Sequence, residues 1–376
     1  MRVVVLGLLI AGCSFRSHAT GGDAGGIDTV GIDTPMTGDC LASGACQRMP
    51  ITARMVTGGP LADFVMLVAL PQDTDLVGKT AAELQFTDVA GAPLSYERVA
   101  FAPASGALTA WVRVPSLATG TTIYLWWGGT GGVDHEDRAG TWPPAYAGVW
   151  HLDEANGTTL ADSTANGNTA TAMNGADVGI AGVVASGVGL DGSNDYLKVT
   201  QSTSLAATTG SATFALWTYW SSLTSSHYQR ILASSNRFTG GGDGYEWASQ
   251  PGGDHYIYPW GGQEDFNLGP TPFVAGRWQY AVATLEFATR TVSIYVDAQP
   301  MAYTVINVPT LWTTAGNPGD WLWGSNSGTS GPLGGMMDEI RVMSGVQTPG
   351  WIATTFANQH DPAAFISVGA AETVAP

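Results

Sequence analysis

Thr291-Val-Ser-Ile-Tyr-Val296 sets Val292, Ile294 and Val296 on one side of an extended chain and Ser293 and Tyr295 on the other. A period of two is the mark of a strand with one face in a core. Outward from it further strand segments recur: Phe214-Ala-Leu-Trp217, Trp278-Gln-Tyr280 and Met337-Asp-Glu-Ile-Arg-Val342 in the second half, Leu84-Gln-Phe86, Ala110-Trp-Val-Arg-Val114 and Thr122-Ile-Tyr-Leu-Trp126 in the first, where the unbroken apolar run Phe64-Val-Met-Leu-Val-Ala-Leu70 reads as a buried strand. Turn residues separate them, supplied by a chain with 50 Gly and 20 Pro. So many short strands bury themselves as two-sheet sandwiches. The fold class read from the sequence is therefore all-β. Near the C-terminus, Trp351, Ile352 and Phe356 have the spacing of a short helix laid on a sandwich, and Phe365-Ile-Ser-Val368 is expected to be the closing strand.

With 376 residues the chain exceeds one ordinary core, and 44% apolar residues suffice for two domains. The formal net charge is −17, and Lys occurs only at Lys79 and Lys198, which leaves no basic surface for phosphates. Nucleic acid is excluded as a partner on that ground.

The first residues form an address. Met1 and Arg2 precede the apolar run Val3 to Ile10, too short to span a bilayer, and Ile10-Ala11-Gly12-Cys13 follows. This tetrapeptide resembles the bacterial lipobox, which implies cleavage after residue 12 and lipid on Cys13; an ordinary signal peptide is the alternative. Ser14, where Asp would signal inner-membrane retention, implies an outer-membrane destination at the cell surface. The membrane is then reached through the lipid anchor alone. Residues 13–50 read as lipidated Cys and tether, because the Gly, Asp and Thr mixture to Asp39 lacks periodicity. Cys40 and Cys46, exported together, are expected to form a disulfide.

Residues 51–130 resemble a small bacterial β-sandwich domain of unknown function that commonly precedes LamG-like domains. The matching segments are LADFVMLVAL, ELQFTDVAGAPLSYE, LTAWVRVPSL and TTIYLWWGG. Residues 131–147, with Pro143-Pro144 and the charged run Asp134 to Asp137, read as a linker. In residues 148–371 the ordered set WHLDE, DSTANGN, LDGSNDYLKV, TFALWTYW, RWQYAVATLE, SIYVDAQP and DEIRVMSG is similar to the LamG-like jelly roll of concanavalin A-type proteins. Residues 372–376 remain as a tail. These boundaries imply a second domain able to fold alone.

Candidate chemistry follows two lines. Asp162, Asn166 and Asn168 put hard oxygen ligands in one Gly-containing loop, which suits Ca²⁺ and equally suits a polar turn. Resemblance to concanavalin A-type sandwiches implies a second, structural Ca²⁺ ligand at Asp338, with carbonyls near Leu152, Asp153 and Gly189 to Gly192; strand alternation then turns Glu339 to the opposite face. The other line is aromatic. Trp247, Tyr256, Tyr258 and Trp260 lie among Gly, Asp and Gln residues, as sugar-stacking platforms do, although any one ring is more simply core. Asp88 and Glu97 invite a catalytic reading, but Asp88-Val-Ala-Gly91 is a turn by composition. His151 reads as a core residue, and His255 as part of a loop.

No E-x-D-x-x-E triplet, G-x-S-x-G elbow or partnered His pattern appears, so no catalytic residues are assigned. The reading is a noncatalytic surface lipoprotein that binds a glycan or an extracellular or cell-surface protein. Its alternatives are a polysaccharide-processing hydrolase and a passive envelope scaffold.

Overall fold

The computed structural model describes residues 46–128, 133–206, 211–223, 226–234, 244–251, 253–258, 265–302, 304–306, 319–326 and 330–374. In the first part of the chain they form β1 (Cys46–Ala53), β2 (Leu61–Leu70), β3 (Gln85–Asp88), β4 (Tyr96–Ala102), β5 (Ala107–Leu117) and β6 (Thr122–Trp127). A short helix α1 (Arg138–Thr141) precedes β7 (Tyr146–Trp150), β8 (Thr159–Leu160), β9 (Ala170–Met173), β10 (Asp177–Ala181), β11 (Ser186–Asp191), β12 (Tyr196–Val199), α2 (Thr203–Ala206) and β13 (Ser211–Trp220). Then come β14 (Gln229–Ser234), β15 (Glu246–Ser249), β16 (Asp254–Tyr258), β17 (Asp265–Pro270), β18 (Trp278–Glu286), β19 (Thr291–Val296), β20 (Gln299–Pro300), β21 (Thr304–Ile306) and β22 (Trp321–Trp323). The chain closes with β23 (Gly334–Ser344), α3 (Pro349–His360), α4 (Pro362–Phe365), β24 (Ile366–Val368) and β25 (Glu372–Val374).

Among the described residues these strands make four sheets: β24-β1-β6-β3 with β25 also on β1, β2-β5-β4, β10-β11-β23-β13-β18-β19-β20 with β7 also on β23, and β21-β17-β16-β15-β14-β22-β12-β9-β8. The all-β expectation holds, and the last two sheets face each other as the jelly-roll sandwich around Trp220, Trp247, Ile257, Val292, Ile294, Trp321 and Trp323.

The strand sequences explain the layering. In β19 the pattern alternates, and Val292, Ile294 and Val296 are buried while Ser293 and Tyr295 are half-buried. In β2 the run Phe64 to Val68 is buried without a break, and in β13 so is Ala212 to Thr218. A run buried at every position belongs to a sheet covered on both faces. The second core shows what covers them: it joins Trp111, Val112 and Leu67 of the three-stranded sheet to Trp217, Tyr280, Val282 and Met343 of the eight-stranded one.

Two sequence expectations are corrected here. Ile366–Val368 does not close the jelly roll: it pairs antiparallel with Ile51–Ala53, and Glu372–Val374 pairs with Cys46–Arg48, so the supposed tail is a strand. The charged connector is not a free linker, because Asp134 and Glu136 both bind Arg98 of β4 (2.6 and 2.9 Å) and Asp137 accepts from Ser95 (2.8 Å). The helix expected around Trp351 is α3, capped by Thr348 Oγ1 accepting from Trp351 N at 3.1 Å.

Candidate functional site

A cleft of about 400 Å³ opens beside β10, β11 and β23, lined among others by Asp177, Ile180, Asp191, Asp195 and Met336. Local chemistry shapes it. The turn Asp191-Gly-Ser-Asn-Asp195 joins β11 to β12, with Asp191 Oδ1 accepting from Ser193 N (2.7 Å) and Asn194 N (3.3 Å), and Asp195 Oδ2 accepting from Asp191 N (3.1 Å). Those N–H donors hold the exposed Asp191 carboxyl below its usual range. Across the mouth, Asn174 Nδ2 donates to Asn194 O at 2.9 Å. Gly189 lies in the lining, where an added Cβ would sit 3.4 Å from Asp177 Cβ and 3.6 Å from Ile180 Cδ1. A side chain there is sterically tolerable and would occupy the cleft. Carboxylates beside Ile180, Leu190 and Met336 combine hydrogen-bond acceptors with apolar surface, and no basic residue is among the lining.

The residues singled out by sequence fall elsewhere. Trp247 is fully buried among the jelly-roll core residues. Tyr256 is 2% exposed and donates its hydroxyl to Glu246 Oε1 (2.7 Å), which also accepts from Arg230 Nε (2.7 Å). Neither ring is open to a sugar, which corrects their assignment as ligand-binding residues: on a strand covered on both sides, parity chooses which layer a ring enters, not whether it reaches solvent. Tyr258 ends β16, and its side chain, like all of Trp260, lies outside the described residues. Cys13 and Cys40 lie outside them as well; Cys46 is disulfide-bonded.

The Asp162 loop is a hydrogen-bonded turn. Asp162 Oδ1 accepts from Val149 N and Thr164 N (both 3.0 Å), and Oδ2 from Asn168 N (2.7 Å) and Thr164 Oγ1 (2.9 Å). Asn166 and Asn168 turn their amides onto the carbonyl of Ala147 (3.2 and 2.6 Å). Both carboxylate oxygens are taken up by donors, which is the polar-turn alternative. Asp338 differs. Its Oδ2 accepts from Val183 N (2.6 Å) and Val184 N (2.9 Å), and its Oδ1 is buried without a hydrogen-bond partner. Burial first, and then the neighbouring Glu339, raise this carboxyl well above its ordinary range. The backbone beside it is Gly182 to Val184, not the Gly189 to Gly192 stretch the resemblance implied; a Cβ on Gly182 would come within 2.6 Å of Oδ2. Among the described residues no three His, Cys, Asp or Glu side chains converge as a metal set.

Sequence reasoning missed a buried charge cluster. His151 Nδ1 meets Glu339 Oε1 at 2.8 Å and Nε2 meets Glu97 Oε2 at 3.2 Å. Glu97 also accepts from Trp142 Nε1 (2.6 Å), Ser163 Oγ (2.8 Å) and Arg138 Nε (2.8 Å), and Arg341 Nη2 donates to Glu339 Oε2 (3.0 Å). Burial would lower the imidazole's pKa, but the two carboxylates push it up to about 10; against the same burial, His151, Trp142 and Arg138 hold Glu97 below its usual range. Glu339 faces His151 because β23 carries a bulge opposite β13 at this point, with Glu339 at φ 52°. No signal in the local sequence joins positions 97, 151 and 339.

Residues 191–353 match a family described as the concanavalin A-like lectin/glucanases superfamily, and the C-terminal sandwich has that LamG-like fold. No curated protein matches the chain. Similar solved structures include a Trypanosoma rangeli sialidase in complex with the inhibitor DANA, at 17% identity and TM-score 0.42, over 56% of this chain and 32% of that one. The binding domain of botulinum neurotoxin serotype D aligns at 12% identity and TM-score 0.42, over 57% of this chain and 52% of its own. The binding domain of botulinum neurotoxin DC in complex with SialylT aligns at 12% and 0.45, over 57% and 52%. The chain thus spans between a third and about half of those structures.

Proposed function

We propose that this chain is a noncatalytic surface lectin, held at the outer membrane by lipid on Cys13, that takes a neutral glycan in the cleft beside β10 and β11. The cleft lining carries the reading. Asp177, Asp191 and Asn174 offer hydrogen-bonding groups to sugar hydroxyls, Ile180 and Met336 offer apolar contact to a pyranose face, and carboxylates without a lining cation repel acidic sugars. The volume suits one or two sugar rings. The match of residues 191–353 to a lectin and glucanase superfamily supports the class of ligand. No helix of the described residues is long and apolar enough to cross a membrane.

The test is a glycan array probed with the full mature chain and with Gly189→Leu, which fills the cleft. The variant is expected to lose about tenfold or more in affinity, or 1.4 kcal/mol, with its melting temperature unchanged. Equal binding by both proteins, or binding confined to acidic glycans, defeats the reading.

Calcium belongs to the same proposal at one place. Asp338 Oδ1, buried without a hydrogen-bond partner, is a hard oxygen ligand free to take a cation, and the ion would stabilise the sandwich by binding the native state alone. Calcium is expected to raise the melting temperature of the wild type and not of Asp338→Asn. A melting curve that calcium and chelator leave unmoved removes the ion.

A further inference from the structure

The eight-stranded sheet turns one face to the jelly-roll core and the other to the three-stranded sheet of the first sandwich. The contacts across that seam are specific. Trp111 of β5 stacks on His151 with ring centroids 5.6 Å apart and an interplanar angle of 11°, and the Arg341 guanidinium lies 4.4 Å from the Trp111 ring. Glu97 of β4 takes partners from Arg138 within the connector and from His151 and Ser163 beyond it.

The chain then returns across the seam. In α3, Asn358 Oδ1 accepts from Leu67 N at 2.7 Å and Nδ2 donates to Leu67 O at 2.9 Å. One side-chain amide thereby stands in for the missing neighbour strand at the open edge of β2. The next residue reaches the other way: Gln359 Oε1 accepts from Trp217 Nε1 of β13 at 2.6 Å. Earlier in the helix, Thr354 Oγ1 accepts from Thr57 N at 3.0 Å. Beyond it β24 and β25 pair with β1, so the first sandwich is completed by the last strands of the chain.

We propose that Pro349–Val374 is a strap that fuses the two sandwiches into one cooperative unit, in which the first sandwich permanently covers one face of the jelly roll. The second domain would then not fold alone. Freed at residue 148 and beyond, it would lose the first-sandwich side of the core shared by Leu67, Trp111 and Val112 and leave Arg341 without the Trp111 and Trp142 rings that cover it. The first sandwich would lose β24, β25 and the cap on β2.

The full chain tests this by calorimetry and native-state hydrogen exchange. One transition is expected, with equal calorimetric and van't Hoff enthalpies, and the slowest amides of β2 and β13 should share one opening free energy. Asn358→Ala should speed exchange in both strands by the same factor, about tenfold or more, since it leaves two buried backbone groups unpaired. Two resolved transitions in the wild type, or faster exchange confined to β2, overturns the proposal. The wild-type measurements decide the matter even if the variant does not fold.

Discussion

Two histidines, both buried, have opposite surroundings. His151 lies in the seam between the sandwiches with a carboxylate on each ring nitrogen, and its pKa is pushed up to about 10. His255 lies inside the jelly roll against Trp220 and Phe273, at centroid distances of 5.5 and 4.8 Å, and neither ring nitrogen has a hydrogen-bond partner. Burial alone drives its pKa down to about 3. The same residue is thus a cation in one layer and neutral in the next. Exclusion of water does not decide the charge; the partners brought across the seam do.

The largest expected effect breaks the seam. His151→Ala leaves Glu97 and Glu339 buried with less positive charge between them, and removing one member of a buried ionic group costs about 3–5 kcal/mol. Denaturant unfolding of the full chain measures it. The sign against pH follows from the raised pKa: in the wild type the stabilisation is complete below about 6.5 and drains away as pH rises toward 10, by roughly 1.4 kcal/mol per unit. The variant should lose that alkaline slope. If it keeps the slope, the seam histidine is not the cation described here.

A smaller effect of opposite sign is expected inside the jelly roll. His255 has a depressed pKa, so its neutral form favours folding above about 6.5, and that stability is lost as pH falls toward 3. His255→Leu removes two unpartnered nitrogens and should gain about 1 kcal/mol at neutral pH. It should also flatten the acid limb of the stability curve while leaving the alkaline limb in place. A loss of stability at every pH would mean that the imidazole packs there for shape, and would erase the contrast between the two sites.

Much of the fold was legible because strands announce themselves locally. The alternation in Thr291 to Val296 and the unbroken runs of β2 and β13 each carry their burial pattern in the side chains themselves. Asp88 was readable as a turn, and its Oδ1 accepts from Ala90 N and Ala92 N at 2.8 and 2.9 Å. The site was far less legible. Asp177 and Met336 share a cleft although 159 positions separate them, and Gly189 matters there for the side chain it lacks. His255 looked like part of a loop because Gly252, Gly253 and Asp254 precede it, yet it is the second residue of β16 and wholly buried. Trp247 looked like a platform because the stretch around it is rich in Gly, Asp and Gln, while its cross-strand neighbours are Leu232 and Ile257.

The sequence by itself determined the strand class and the scarcity of basic residues, because periodicity and composition are sums over neighbouring residues, and the LamG-like order of segments was legible as a resemblance. It also marked Phe64 to Leu70 as a buried strand, since no polar position interrupts the run. What covers that strand was decided by the tertiary structure. The second layer comes from positions roughly 150 to 280 residues further along, and the ion cluster at Glu97, His151 and Glu339 joins the two sides of the seam, with the bulge in β23 turning Glu339 toward His151. Electrostatic and packing energies depend on distance in space, and over such separations the order of residues along the chain carries no measure of it.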